Sequence, residues 1–264
     1  ARSYSEAPSS LGATPRAEHI KPTLESPMAV TPFVAFPCSA ELRSETEKLI
    51  INLRAGVSEP QNKAAMATID LLIEDLLDGF LLKLIDVLEM QNFMAKLVRS
   101  TAGTINKAGS SIANAALKKM DNDQMRPMAD HVASLMLDVE VNGEMQPWMG
   151  VPVSDELSKE LHDVAAGLCG DTPKEFVSMA MDTLDKLTTQ AAEVYISESV
   201  RLLQVGIVLR KMASAAISAV KGAMRLMLKK TLPDLDETQL KALGDYINTL
   251  HVTDGAAVEF KESA

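Results

Sequence analysis

The sequence predicts an all-α protein built from two tandem helical units, and three observations carry that prediction. Residues 32–42 (PFVAFPCSAEL) and 147–157 (PWMGVPVSDEL) match without a gap at an offset of 115, sharing both prolines, the serine, the glutamate and the leucine. Two long stretches, between Pro60 and Pro127 and between Pro173 and Pro233, contain no proline. Hydrophobic residues make up 47% of the chain but aromatics only 4%, which describes a core of Leu, Ile, Val, Met and Ala. A repeat of this length points to one structural unit used twice, and 264 residues are enough for two medium domains.

The match continues past the opening segments, with the offset shrinking slightly. Leu53 aligns with Leu168, Gly56 with Gly170 and Pro60 with Pro173. Residues 124–135 (QMRPMADHVASL) match 239–250 (QLKALGDYINTL) at 115 again, and Leu117-Lys118-Lys119 matches Leu228-Lys229-Lys230 at 111. The predicted organisation is an extended N-terminal arm over 1–31, unit one over 32–146 and unit two over 147–264. Residues 32–137 and 147–252 should then share one helix order. The arm is rich in Ser, Ala, Pro and Thr and holds four of the twelve prolines, a composition that stays extended or disordered on its own.

Each unit opens between two prolines, which restrict φ and disfavour helix before them, so 32–37 and 147–152 are extended. Phe33 and Phe36, and Trp148 and Val151, are the available anchors. They are expected to dock each segment in a groove of the unit that follows, with Trp148 holding the units together. A helix over 39–55 comes next, capped by Ser39, with Glu41 in its first turn and Leu42, Leu49, Ile50 and Leu53 on its apolar side. Gly56 ends it. Ser154, Glu156 and Leu157 repeat the start, and Gly167 and Gly170 the stop.

A proline-free window could hold one helix of about 55 residues, roughly 80 Å long. That exceeds the usual span of about 8–20 residues, so each window should be kinked or broken, the first near Gln91–Asn92 or Thr101–Thr104. Ile69–Met90 is apolar except for a narrow stripe of Asp70, Glu74, Asp78, Asp86 and Glu89. So wide an apolar face packs on more than one side, while seven charges within it exclude a membrane span. The second window is apolar from Val194 to Leu209 with a basic stripe of Arg201, Lys211, Arg225 and Lys229. It then turns small: Ser214, Ser218 and Gly222 beside Ala215, Ala219 and Ala223 predict a close helix-packing face. Short helices over 123–137 and 236–251 close the units. Asn142-Gly143 signals a hairpin, and Asp254-Gly255 a second one.

Net charge −10 and a pI near 5.0 argue against a nucleic-acid binder. Cys38 and Cys169 make neither a disulfide framework nor a metal site, which favours a reducing compartment or particle interior. No apolar stretch of about 7–15 residues behind a basic start marks a signal peptide. His19, His131, His162 and His251 fall at no metal or catalytic spacing, and no phosphate loop or nucleophile elbow is present. Asp70, Glu74 and Asp78 share a helix face, with Asp182, Asp185 and Glu193 in the comparable region. A hard cation wants six or more oxygens, however, so no metal or cofactor is expected. Lys118-Lys119 and Lys229-Lys230 sit where helix C-termini favour cations.

These readings point to a non-enzymatic structural or interaction protein. The chain is expected to be a helical building block of a larger assembly, such as a virion or secretion-type particle, with self-association or other protein partners. The basic amphipathic stretch 201–230 and fifteen methionines support an alternative, a protein binding membrane surfaces. An enzyme of unrecognised type is the second alternative.

Overall fold

A computed structural model describes residues 31–118, 120–252 and 256–257. The predicted arm, apart from Thr31, lies outside the described residues, as do Lys119 and Asp254-Gly255.

The chain is mostly helical with one small sheet. It begins with β1 (Phe33–Pro37), α1 (Ala40–Arg54), α2 (Asn62–Leu77), a π-helical turn (Asp78–Leu82) and α3 (Lys83–Val87). Then come α4 (Asn92–Leu117), α5 (Asn122–Ser134) and β2 (Met136–Val141). The second half runs β3 (Glu144–Pro152), α6 (Asp155–Cys169), a 3₁₀ turn (Pro173–Phe176), α7 (Val177–Ala192), a second π-helical turn (Glu193–Glu198) and α8 (Ser199–Leu202). It ends with α9 (Ile207–Thr231), a 3₁₀ turn (Leu232–Asp234), α10 (Glu237–Leu250), β4 (His251–Val252) and β5 (Ala256–Ala257).

Local chemistry sets these boundaries. Ser39 Oγ accepts from the Leu42 N–H at 3.1 Å and Ser154 Oγ from the Leu157 N–H at 3.2 Å, fixing the starts of α1 and α6. Asp121 with Gln124, and Asp236 with Gln239, form capping boxes on α5 and α10. Gly56, at φ +66°, takes the left-handed turn after α1. Gly167 does not stop a helix: it lies inside α6, where a Cβ would come within 2.1 Å of the Phe176 ring. The long windows break where Glu89 (φ 45°) and Gln204 (φ 49°) turn left-handed. The break near Gln91–Asn92 therefore forms, whereas Thr101–Thr104 lies within α4.

The opening segments are extended, but they do not occupy separate grooves. They zip together as antiparallel strands, pairing Phe33 with Pro152, Val34 with Val151, Ala35 with Gly150, Phe36 with Met149 and Pro37 with Trp148. Backbone pairing satisfies more polar groups than docking on side chains would, and this is the physical reason for the difference. Ala35 faces Gly150 at the centre, where a Cβ on Gly150 would sit 2.7 Å from that of Ala35. The sheet order is β4-β1-β3-β2-β5. The hairpin at Asn142-Gly143 joins β2 to β3, both residues at positive φ as such a turn requires. Among the described residues β4 pairs with β1 and β5 with β2, and the second expected hairpin, at Asp254-Gly255, lies outside them.

One sheet face, carrying Val34, Phe36, Met136, Met149 and Val151, packs on the helices within a continuous core drawn from both halves. The other carries a small cluster of Ala35, Leu137, Trp148 and Val252. α4 packs on α9, α1 on α5, α6 on α10, α2 on α4 and α7 on α9.

Candidate functional site

The helices do not fill the space between the two halves. An apolar cavity of about 250 Å³ remains there. Val34 and Val151 from the sheet, Phe80 and Tyr195 from the π-helical turns, and Ile112 and Val220 from α4 and α9 are among its walls. No Asp, Glu, Lys or Arg lines it among the described residues.

The two π-helical turns explain how polar groups come to be there. In the first turn, the Lys83 N–H reaches back five residues to Asp78 O, a widened geometry that disturbs the ordinary helical ladder. Tyr246 of α10 donates to Gly79 O in that turn. His131 of α5 lies 2.9 Å from Val194 O in the other turn. A carbonyl can only accept, so His131 carries its proton on Nε2. Each half thus supplies a donor to the widened turn of the other. Burial, and secondarily Asp78, push the Tyr246 hydroxyl up to about 12, keeping it a neutral donor.

Two further polar side chains on the wall also have protein partners. Thr188 Oγ1 donates to Leu184 O at 2.8 Å, and His251 Nε2 lies 2.7 Å from Ser158 Oγ. Burial, then His162, lower the His251 pKa and favour its neutral form. No carboxylate is bonded to this serine–histidine pair among the described residues, so it lacks the third member that orients a catalytic base. Tyr195 differs. Its ring lines the cavity while its hydroxyl is buried with no hydrogen-bond partner. Burial, and secondarily Cys38, raise its pKa.

Two residues of the cavity wall stand 115 positions beyond an aromatic pair of the first half. In the first half Phe36, fully buried, stands edge-on to Phe80 with ring centroids 5.0 Å apart. Residues 115 further on are Val151 and Tyr195. Valine fills less of the space than phenylalanine, and both Val151 and Tyr195 face the opening.

The four predicted anchors separate by sheet face. Phe36 and Val151 join the helical core, while Phe33 and Trp148 belong to the outer cluster. Trp148 is buried with its indole N–H unpartnered. Trp148→Ala should lower the melting temperature in a single transition, because the main core runs through both halves without it. The lost burial is partly offset by removing a buried unsatisfied donor, leaving a cost of about 1–2 kcal/mol. Differential scanning calorimetry showing two separated transitions would contradict this.

The small-residue face of α9 does not pack internally. Ser214, Ala215, Ser218, Ala219 and Gly222 are exposed and Ala223 half-buried. The Ser214 and Ser218 hydroxyls bond their own helix, to Arg210 O and Ser214 O. The helix turns its seven-residue series Ala213, Val220 and Met227 inward instead, and that places the small residues outside.

The carboxylate stripe is partly occupied. Asp70 accepts from Ser110 Oγ at 3.0 Å, and Asp185 pairs with Arg225 at 2.5 Å. Among the described residues no cluster of His, Cys, Asp and Glu is placed to hold a metal ion. No helix among them is long and apolar enough to cross a membrane. Burial, with Asp75 secondary, pushes the Cys38 thiol up to about 11. Burial and the Asp245 carboxylate raise that of Cys169. Both therefore stay protonated and poorly nucleophilic at neutral pH.

Comparison of the chain with protein families, curated proteins and solved structures finds no match.

Proposed function

We propose that this chain is a non-enzymatic binding protein for apolar molecules, with two tandem copies of one helical unit enclosing the ligand. The cavity carries this reading. Its wall is apolar and, among the described residues, without charge over about 250 Å³, so an apolar molecule placed there removes its own surface and that of the wall from water at about 25 cal/mol per Å². An apolar occupant restores the missing contacts.

The duplication is supported by features that recur at an offset of 115. These are the π-helical turns starting at Asp78 and Glu193, the left-handed Glu89 and Gln204, the capping boxes at Asp121 and Asp236, and the donors His131 and Tyr246. The strand pairing of Val34 with His251 likewise corresponds to that of Met149 with Met136.

Titration with N-phenyl-1-naphthylamine, an apolar dye that brightens out of water, tests the binding function. Saturable uptake is expected, and it should be lost in Val151→Phe, which copies Phe36 into the cavity wall while circular dichroism stays unchanged. Absence of saturable uptake by the wild-type chain overturns the reading.

A second reading, a building block of a larger protein assembly, is favoured by matched exposed apolar residues. Phe93 in α4 and Val208 in α9, again 115 apart, are 68% and 73% exposed, and Ile207 beside Val208 is 68% exposed. Such residues at the same position of both halves suit a protein partner or a second copy. Light scattering on concentrated protein tests it: a strict monomer counts against self-assembly. The membrane-surface alternative rests on the same residues beside exposed Arg210 and Lys211, and sedimentation with anionic vesicles at low salt separates it from the others.

A further inference from the structure

We infer that α4 and α9 together form one docking face for the surface of an anionic phospholipid bilayer. This deepens the membrane-surface alternative by enlisting both halves of the chain, and it does not rest on the cavity reading. Charge leads there. The chain has a net charge of −10, yet α4 and α9, which pack on one another, carry nine Lys and Arg and no Asp or Glu. All nine except half-buried Lys221 are exposed. Among the described residues the carboxylates bonded to these two helices are Asp185, on Arg225, and Asp70, on Ser110. The remaining cations face water without an acidic partner.

Apolar exposure coincides with this charge. Of the seven large apolar side chains exposed among the described residues, five stand on these two helices: Phe93 on α4, and Ile207, Val208, Met212 and Leu226 on α9. The helical period puts Phe93, Lys96 and Lys107 on the side of α4 opposite buried Val98 and Ile112. It puts Val208 and Lys211, 115 positions beyond Phe93 and Lys96, opposite the inward Ala213, Val220 and Met227. Both helices line the same cavity with their inward sides, so their outward sides share one side of the molecule. Cations with apolar side chains among them suit an anionic membrane interface, where the cations meet headgroups and the apolar groups enter the boundary beneath. A second copy seated on the same face would oppose cations with cations. Nucleic acid would leave Phe93, Ile207 and Val208 without an apolar phase. Docking in this way sets the cavity one helix diameter, about 10 Å, from the bilayer.

Flotation of the full chain with vesicles of phosphatidylglycerol or of phosphatidylcholine tests the inference. Two variants are compared with wild type, Lys96→Gln/Arg99→Gln/Arg210→Gln/Lys211→Gln and Phe93→Ser/Val208→Ser, and circular dichroism checks that both keep the wild-type fold, as substitutions at exposed positions should. Wild type should float with phosphatidylglycerol at low salt, not with phosphatidylcholine, and should be released at high salt. Each Lys or Arg at an anionic surface strengthens binding roughly fivefold, so the neutralised variant should bind on the order of a hundredfold more weakly, or worse. The serine variant should lose on the order of tenfold even at low salt. No flotation of wild type with phosphatidylglycerol, equal flotation with phosphatidylcholine, or undiminished binding by either variant overturns the inference. So does self-association of wild type that Phe93→Ser/Val208→Ser abolishes, which would make this face a contact between copies. The cavity reading stands or falls separately, on dye uptake in the absence of vesicles.

Discussion

Phe36→Ala is expected to lose about 3–5 kcal/mol of stability, the range for deleting a fully buried aromatic side chain. Phe36 is inaccessible to solvent, stands edge-on to Phe80, and lies on the sheet face that meets the helices. Its Cβ and ring are also what press against Gly79. Truncation therefore removes the contact between the sheet and the first π-helical turn and enlarges an interior that already holds a cavity. At about 2–4 °C per kcal/mol for chains of this size, the melting temperature should fall by roughly 6–20 °C. Thermal denaturation followed by circular dichroism measures it, and a drop of under about 2 °C would mean that Phe36 is not packed as described.

Gly79→Val should be comparably damaging, and for a reason that can be reversed. A Cβ at residue 79 would lie 2.7 Å from the Phe36 Cβ and 2.8 Å from its Cγ, closer than side chains tolerate. Overpacking of this kind costs about 1–3 kcal/mol or more, and a shifted turn would also strain the Tyr246 bond to Gly79 O. The positions 115 residues on hold Val151 and Val194 in place of Phe36 and Gly79. Transferring both valines, as Phe36→Val with Gly79→Val, should recover a large part of what Gly79→Val alone loses. The two substitutions then show a favourable coupling in a double-mutant cycle. Strict additivity of the two losses would argue that the clash at Gly79 is not with Phe36.

Much of the helical scaffold could be read from local chemistry. Ser39, Ser154, Asp121 and Asp236 act through residues three positions away, so their caps are visible in a short stretch of sequence. The break near Gln91 was likewise legible, since no globular helix runs the length of the proline-free window. The strand pairing was not. Pro-flanked Phe33–Phe36 shows that the segment is extended, but its partner lies more than a hundred residues away and no local signal names it. Which face of α9 turns inward was not legible either, since spacing alone does not say, and here Ala213, Val220 and Met227 decide. The cavity was the least legible feature. Its walls run from Val34 to His251 along the chain, and no local pattern shows which apolar side chains leave a space between them. The one available signal was the alignment of His131 with Tyr246, two long side chains that share the ability to donate a hydrogen bond.

The register of the sheet also governs the order in which the chain can acquire its structure. Pro37 pairs with Trp148 and Phe33 with Val252, so β1 has no strand partner until well over a hundred residues have followed it. At a translation speed of about 5–20 residues per second, β1 emerges from the ribosome roughly 5–20 seconds before β3, and waits about twice as long for β4. Throughout that interval Val34 and Phe36 sit on an unpaired edge, the kind of surface that recruits holding chaperones and invites wrong pairing with a neighbouring nascent chain. The helices of the first half, whose contacts are local, can form early, while the sheet that ties them to the second half closes last.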